Sequence, residues 1–406
     1  MLHGKHILVG ISGGIAAYKI PDLIRRLRKE GAEVKVTTTR HALEFVTELT
    51  LQTLSGNKVY TNVFAAINDH STEHITLPDW ADVMLIAPAT ANVLGKAAHG
   101  IADDALTTTF CAMRKPVVIA PAMNDKMYAN PSVQESMRLL EAFDNVTMLD
   151  CAKGELACGT TGKGRMQEPD ALLEAVKYAL TPKDMTGRQV LITSGPTQEH
   201  LDPVRYITNH SSGKMGNALA LECWRRGANV HLVSGQVATL PVVPALYGRD
   251  ANNSVSAVTV TSAQQMAETA LSLAEKAHLI ILCAAVADFT PQHVSDEKIK
   301  KQHGQTTMTI DMVQTTDIAA TLGARKQSGQ VLAGFALETN DEQAHALHKL
   351  ESKHLDYIVL NSLRDNGAGF GCDTNKVTVY AADGTKKDVP LLSKQHVARE
   401  IIDFIR

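Results

Sequence analysis

The sequence has no apolar run near the ~20 residues that a membrane helix requires, no CxxC pair and no surplus of positive charge. The first absence argues against a membrane span. The second, with Cys111, Cys151, Cys158, Cys223, Cys283 and Cys372 widely scattered, points to reduced thiols rather than disulfide staples. The third, a formal net charge of -3, leaves no global field to hold a nucleic-acid backbone. Metabolites are the expected partners, gripped at most by local lysine clusters. Lys5 before an apolar stretch imitates a signal peptide, but Ser12, Gly13 and Gly14 interrupt that stretch and Lys19 closes it. A soluble, cytoplasmic protein is expected. What is present, 406 residues with 44% hydrophobic and 20% charged, suffices for two domains that each bury a core.

The first half opens with HILVGISGGIAAYKIPDLIRRLRKEGAEVKVTTT, from His6 to Thr39. An apolar run, a glycine turn, a helix-period stretch closed by Gly31 and a β-branched run read as one βαβ unit. ADVMLIAPAT and RKPVVIAPAMN are further short apolar runs of the kind that parallel strands buried on both faces produce. The plan restarts at RQVLITSGPT, after the break TPKDMTG from Thr181 to Gly187. Its helix closes with WRRGANVHLVSG, and HLIILCAAVADF (His278 to Phe289) and DYIVLNS supply later strands. The expected fold is α/β, with two Rossmann-like three-layer domains over residues 1–182 and 187–406. In such sheets ligands bind beyond the carboxyl ends of the strands.

Those ends carry the candidate sites. The turn Gly10, Ser12, Gly13, Gly14 before a helix can offer amides and a hydroxyl to a phosphate. Its spacing departs from GxGxxG, and the second strand ends in Thr37, Thr38 and Thr39 with no acid to hold a ribose diol, so NAD is disfavoured. HSTEH, from His70 to His74, matches the HxxEH zinc pattern literally. The β-favouring Ile75, Thr76 and Leu77, followed by Pro78, place His74 at a strand entrance instead. CAKGELACGTTGKGRM sets Cys158 among glycines, as in a flap over a cavity with a thiol for proton transfer or covalent chemistry; the alternative is a surface loop with an incidental cysteine. NHSSGKMG resembles a P-loop only in Gly213 and Lys214, since the upstream glycine is missing and Met215 replaces the hydroxyl. EKIKK, from Glu297 to Lys301, gathers three cations past a strand end, as a solvated face or a triphosphate site.

In order along nearly the whole chain, SGGIAAYK, HITL, APATAN, PAMN and the ACG of the flap, then SGPTQEHLDPVRYITNHSSGKMG, CAAVADF, EKIKK and GFALETN, resemble one family. It is the bacterial bifunctional phosphopantothenoylcysteine decarboxylase/phosphopantothenate-cysteine ligase family of coenzyme A biosynthesis. The resemblance implies a flavodoxin-like FMN-binding domain followed by a nucleotide-binding ligase domain. It implies flavin contacts at Ser12, Gly13, Thr39, Thr90, Asn92 and Ala122, with His74, Asn124 and Cys158 acting on substrate. In the ligase half it implies that Asn209 serves acyl transfer and that Ala285, Asp288, Lys298, Asp317, Phe335, Lys349 and Lys353 line the nucleotide site. Gln314, Thr315, Thr316 and Asp317 stand where many members have Lys-Asn-Pro-Asp, which leaves the phosphate contacts there open.

The chemistry implied is redox-neutral decarboxylation with FMN as electron sink, Cys158 as proton donor, His74 as base or orienting donor and Asn124 on the carboxylate. The ligase would use CTP and Mg2+ to join 4'-phosphopantothenate to cysteine through an acyl-cytidylate, supplying phosphopantothenoylcysteine to the other half. The family also implies a homo-oligomer, a dodecamer, with flavin sites between subunits and paired ligase domains. Two other readings remain from the residues: a two-domain NAD(P)-dependent dehydrogenase, and a flavin-binding regulator tethered to an inactive ligase-like domain. Because the break at Thr181 to Gly187 has little apolar content, a fragment ending near residue 182 is expected to stay yellow and active in decarboxylation.

Overall fold

The structure, a computed structural model, describes residues 1–64, 73–155, 159, 161–248, 253–301, 306–338, 340–362, 364, 367–369 and 371–406. The chain forms two compact units, Met1–Pro182 with Val242–Asn253, and Lys183–Pro241 with Ser254–Arg406. The division expected at 1–182 and 187–406 is thus amended by one excursion, in which Val242–Asn253 belongs to the first unit.

In unit 1, β1 (His6–Ile11), β2 (Glu33–Thr38), β3 (Val59–Tyr60), β4 (Val83–Ala89), β5 (Val117–Pro121) and β6 (Val146–Met148) form a parallel sheet in the order β3-β2-β1-β4-β5-β6. Without the two-residue edge strand β3, the order is 2-1-3-4-5 and flavodoxin-like. The central strands β1, β4 and β5 are mostly apolar and buried because both faces are covered, whereas β2 (EVKVTT) carries an exposed Glu33 and a half-buried Lys35. Leu8, Met84, Ile86, Val117 and Ile119 share one core cluster with Leu94, Leu106, Phe110 and Leu140. The alternate residues Ile7, Val9, Leu85 and Val118 are equally buried outside that cluster, and successive strand residues point to opposite faces. The helices are α1 (Ile20–Lys29), α2 (Glu48–Ser55), α3 (Glu73–Trp80), α4 (Ala91–Ala98), α5 (Ala105–Ala112), α6 (Asp125–Tyr128), α7 (Pro131–Glu141) and α8 (Pro169–Leu180). A separate antiparallel hairpin, β7 (Ala152–Glu155) and β8 (Thr161–Arg165), corresponds to the glycine-rich flap.

Residues 75–77 are helical, in α3, and His74 stands in the first turn of that helix rather than at a strand entrance. Leu77 and Ala81 pack into the core, and this burial overrides the β preference of Ile75 and Thr76. His70 lies outside the described residues.

Unit 2 repeats the plan. β9 (Gln189–Ser194), β12 (Asn229–Ser234), β13 (Val255–Thr259), β14 (Leu279–Leu282), β17 (Val331–Glu338), β18 (Tyr357–Ser362), β19 (Thr374–Ala381) and β20 (Lys386–Ser393) form a sheet ordered β13-β12-β9-β14-β17-β18-β19-β20, antiparallel only at its last two strands. Two short ribbons pair β10 (Gln198–His200) with β11 (Tyr206–Thr208), and β15 (Phe289–Pro291) with β16 (Met312–Gln314). Leu191, Ile280, Leu332 and Ile358 pack with residues of α10 (Ala263–Ala274), α11 (Ile318–Arg325) and α12 (Glu342–Ser352). The helices α9 (Lys214–Arg225) and α13 (Lys394–Ile405) pack on each other, α9 against β9 and β12, α13 against β19 and β20. The strand expected over residues 278–289 ends at Leu282. Beyond it the chain leaves the ladder, keeping one isolated bridge between Pro196 and Ala285. No helix among the described residues is long and apolar enough to cross a membrane.

The excursion has a stability consequence. Leu246 is only 7% exposed and forms an antiparallel bridge with Leu149, next to the edge strand β6. Burial of a leucine contributes about 2 kcal/mol of stability, which is lost when residues 242–253 are absent. A fragment ending at residue 182 is therefore expected to melt roughly 5 °C below the same unit in the full chain. Melting can be followed by flavin fluorescence; equal midpoints would show that residues 242–253 add nothing to the stability of unit 1.

Candidate functional site

In each unit the strand order reverses beside the first strand, between β1 and β4 and between β9 and β14, and a cavity opens at the carboxyl ends there. The unit 1 cavity, about 1100 Å³, is walled by Ser12, Gly13, Thr39, Thr90, Asn92, Ala122 and Asn124, each on a segment that follows β1, β2, β4 or β5. Ser12 Oγ donates to Pro88 O at 2.7 Å and accepts from Thr90 N at 3.1 Å, tying the first turn to the end of β4. Thr90 is the N-cap of α4 but makes no capping bond with its side chain, so the amides of the first turn lie at the cavity wall without that partner.

Asn124 is the N-cap of α6, its Oδ1 accepting from Lys126 N at 2.9 Å, which fixes the orientation of the amide. The return strand of the hairpin rests on the same corner. Met123 N donates to Gly164 O at 2.9 Å, and a Cβ on Gly164 would collide with Met123 O. Glu155, Gly164, Arg165 and Met166 complete that wall. Cys158, between the two hairpin strands, lies outside the described residues. His74 is not among the residues lining this cavity.

Sequence reasoning missed the ionisable lining residues Lys19, Arg40, His41, Lys96 and Asp104. Two of them carried a signal, since Arg40 and His41 directly follow the threonines that end β2. Lys19 is buried and pairs with Glu168 at 2.8 Å, while Lys96 pairs with Asp103 at 2.7 Å.

The unit 2 cavity, about 480 Å³, is lined by Asn209, Ala285, Asp288, Asp317, Phe335, Lys349 and Lys353 together. Lys298 is not among its lining residues. It stands on the exposed segment after β15, whose backbone is held where Ile299 N donates to Asp202 Oδ2 at 3.1 Å. Asn209 Nδ2 donates to Ala285 O at 3.1 Å and to Val286 O at 3.2 Å, bracing the loop that continues β14. Asp317 caps α11 and pairs with Lys353 at 2.9 Å. Burial alone would raise its pKa, but hydrogen bonds from Ala320 N and Lys353 hold it below the usual carboxylate range. Lys349 pairs with Glu338 at 2.6 Å.

Four further lining residues were not singled out as site residues: Ser211, Ser212 and Cys283 lie within quoted motifs, while Lys394 lies in a segment that carried no signal. Ser211 and Ser212 precede Gly213, whose φ of 71° starts α9 without a side-chain cap. Lys394, at the start of α13, is mostly buried and donates to Cys372 O and Gly369 O; burial lowers its pKa. Cys283 also lines the cavity, but burial pushes its thiol up to about 12, so it is no thiolate at neutral pH.

Comparison with known proteins matches the flavoprotein family over residues 1–181 and the DNA/pantothenate metabolism flavoprotein C-terminal domain over residues 185–406. The chain is 44% identical over 408 residues to the coenzyme A biosynthesis bifunctional protein CoaBC of Bacillus subtilis, covering 100% of this chain and 97% of that protein. It is 40% identical over 406 residues to the protein of the same name from Escherichia coli, with the same coverage. Among solved structures, a crystal structure of the C-terminal domain of a CoaBC protein aligns at 39% identity and TM-score 0.44, covering 55% of this chain and 96% of that one. With two cavities at equivalent points of two α/β units, and relatives that match from end to end, the chain belongs to the bifunctional coenzyme A biosynthesis protein family, a flavoprotein module followed by a pantothenate-metabolism C-terminal domain.

Proposed function

We propose that this protein joins 4'-phosphopantothenate to cysteine in unit 2, using CTP, and decarboxylates the resulting phosphopantothenoylcysteine to 4'-phosphopantetheine in unit 1, using FMN. The observation that carries this reading is the end-to-end match to bifunctional coenzyme A biosynthesis proteins. The direct test supplies phosphopantothenate, cysteine, CTP and Mg2+ and looks for CO2 and phosphopantetheine. A product that stops at the acid, or none at all, would remove the bifunctional reading.

The unit 1 cavity suits FMN. A Cβ on Gly13 would lie 2.5 Å from His41 Cβ, so only glycine lets that turn pass so close to the end of β2. Thr39 Oγ1 is buried at the cavity wall without a hydrogen-bond partner, which a ligand oxygen or nitrogen would provide. Ser12, Gly13, Thr39, Thr90, Asn92 and Ala122 would hold the cofactor. When bound, it supplies the electron sink without which loss of CO2 would leave an unstabilised carbanion. Asn124 holds the substrate carboxylate, Cys158 gives a proton to the decarboxylated carbon, and His74 orients the thiol. Flavin sites between subunits of a homo-oligomer would bring His74 from a neighbouring copy, because it does not line the cavity of its own chain.

In unit 2 the substrate carboxylate attacks the α-phosphorus of CTP, pyrophosphate leaves, and the amine of cysteine displaces CMP from the acyl-cytidylate. Lys349 and Lys353 offset charge at the phosphates. Among the described residues no three His, Cys, Asp or Glu side chains converge as a metal cage. Mg2+ fits here as a companion of the triphosphate, held by phosphate oxygens with one or two carboxylates.

Three outcomes follow. Gly13→Ala is expected to lower bound flavin per chain about tenfold, since its Cβ must push His41 aside, while ligation stays normal; full flavin content would deny the close-approach argument. Cys158→Ser should still ligate and lose CO2 once, leaving a product two hydrogens short of phosphopantetheine, because a hydroxyl is a far weaker acid than a thiol of pKa ~8.5. Mass spectrometry decides, and normal multiple turnover would take Cys158 out of the donor role. Lys353→Gln should slow acyl-cytidylate formation at least about tenfold through the charge lost at the cavity wall, with decarboxylation of supplied phosphopantothenoylcysteine unchanged. Equal loss of both activities would show misfolding instead.

A further inference from the structure

The edge of the unit 1 sheet is closed by chain from beyond residue 182. Residues 245–247 run antiparallel to residues 148–150: Asp150 N donates to Ala245 O and Tyr247 N to Met148 O, both at 2.9 Å. Gln167, itself buried, brackets the contact. Its Nε2 donates to Ala245 O at 2.7 Å and Asp150 O at 2.8 Å, and its Oε1 accepts from Ala245 N at 3.0 Å. Tyr247 OH donates to Gln134 Oε1 at 3.3 Å. Gly248 turns the chain with φ of 70°, and a Cβ there would run into the Glu141 side chain.

Asp150, whose backbone receives this segment, points its carboxylate at the supports of the cavity. Oδ1 accepts from Tyr128 OH at 2.6 Å and from Cys151 N at 2.8 Å, and Oδ2 pairs with Lys163 Nζ at 2.6 Å. Lys163 Nζ also lies 5.3 Å from the centre of the Tyr128 ring. Lys163 belongs to β8, whose next residues Gly164 and Arg165 form cavity wall, and Tyr128 ends the helix that Asn124 caps. One carboxylate thus joins the hairpin, α6 and the sheet edge.

We propose that residues 245–248 are a positioning element of the decarboxylase site: by pinning the backbone at Asp150 they fix the carboxylate that holds Lys163 of the hairpin and Tyr128 beside Asn124. Asp150 and Leu246 are positioning residues and touch no substrate. The inference rests on the reading of this cavity as the decarboxylase site. It makes full activity of that site depend on a segment encoded inside the ligase half of the chain, so the fragment ending near residue 182 keeps its flavin and some decarboxylation but turns over about tenfold more slowly than the full chain.

The test uses the full chain and the variants Leu246→Asp, Asp150→Asn and their combination. Leu246→Asp puts a charge where an apolar side chain is buried and should free the segment. Asp150→Asn keeps the backbone bonds to the segment and removes the charge that holds Lys163. Each is expected to lower kcat for supplied phosphopantothenoylcysteine about tenfold, with KM changed less than about twofold, as a misplaced wall predicts. Flavin content and ligation rate should stay normal. Hydrogen exchange should quicken at residues 152–155 and 161–165 while β1 and β4 stay protected. Because both changes act through one carboxylate, the double variant should be no slower than the slower single. Multiplied effects would overturn the proposal. So would a normal kcat in Leu246→Asp once exchange shows residues 245–247 released. Should Leu246→Asp not accumulate as folded protein, Gly248→Ala, strained by its positive φ, takes its place with the same two decisive outcomes. If the unaltered chain makes no phosphopantetheine, the decarboxylase reading fails; if it turns over and the variants match it, only this inference fails.

Discussion

Parallel strands buried on both faces leave polar chemistry one place to gather, beyond their carboxyl ends. In both units the central strands, such as β1, β4, β5 and β14, are mostly apolar and buried, so helices cover each face and the connections pass over the sheet ends. Where the strand order reverses, adjacent connections run to opposite faces and a crevice opens between them. Both cavities lie there, and their linings derive from that constraint rather than from any single motif.

The two crevices use it differently. In unit 1 the wall beside β1, β2 and β4 is made mainly of hydroxyls, amides and a glycine turn, and Ser12 joins two strand ends through Pro88 and Thr90. Such a wall suits a cofactor with a phosphate at one end and a flat ring at the other. In unit 2 lysines line the cavity, and Lys349 and Lys353 are held by Glu338 and Asp317. Paired in this way, both lysines keep defined positions at the cavity wall.

The hairpin presents a different problem, because a two-stranded ribbon is marginal on its own. Here the ribbon is seated through Gly164 against Met123 and through Lys163 on Asp150. Glycine permits the first contact, since no side chain would fit. The second depends on a carboxylate whose own backbone is held by residues 245–247. The placement of the cavity wall is therefore decided by a contact between residues 95 positions apart, Asp150 and Ala245.

Local pattern was enough for the layered fold. Apolar runs closed by small residues, and helix periods closed by Gly31 and Gly227, are signals carried by a few neighbours in sequence, and the strands β1, β2, β4, β5, β9 and β12 stand where those signals are. Motif resemblance likewise singled out seven residues from Ser12 to Asn124 that line one cavity and seven from Asn209 to Lys353 that line the other. What remained hidden needed three dimensions. Residues 75–77 are helical because Leu77 and Ala81 find a core, a preference that no window of sequence contains. The strand after His278 stops at Leu282 because the next residues are drawn out to line a crevice. Lys394 reaches that same crevice from the last helix, and Val242–Asn253 joins a unit whose other residues end at Pro182. Secondary structure follows from side-chain periodicity along the chain, whereas such long-range contacts depend on which surfaces folding brings within a few ångströms, and only the tertiary structure decides that.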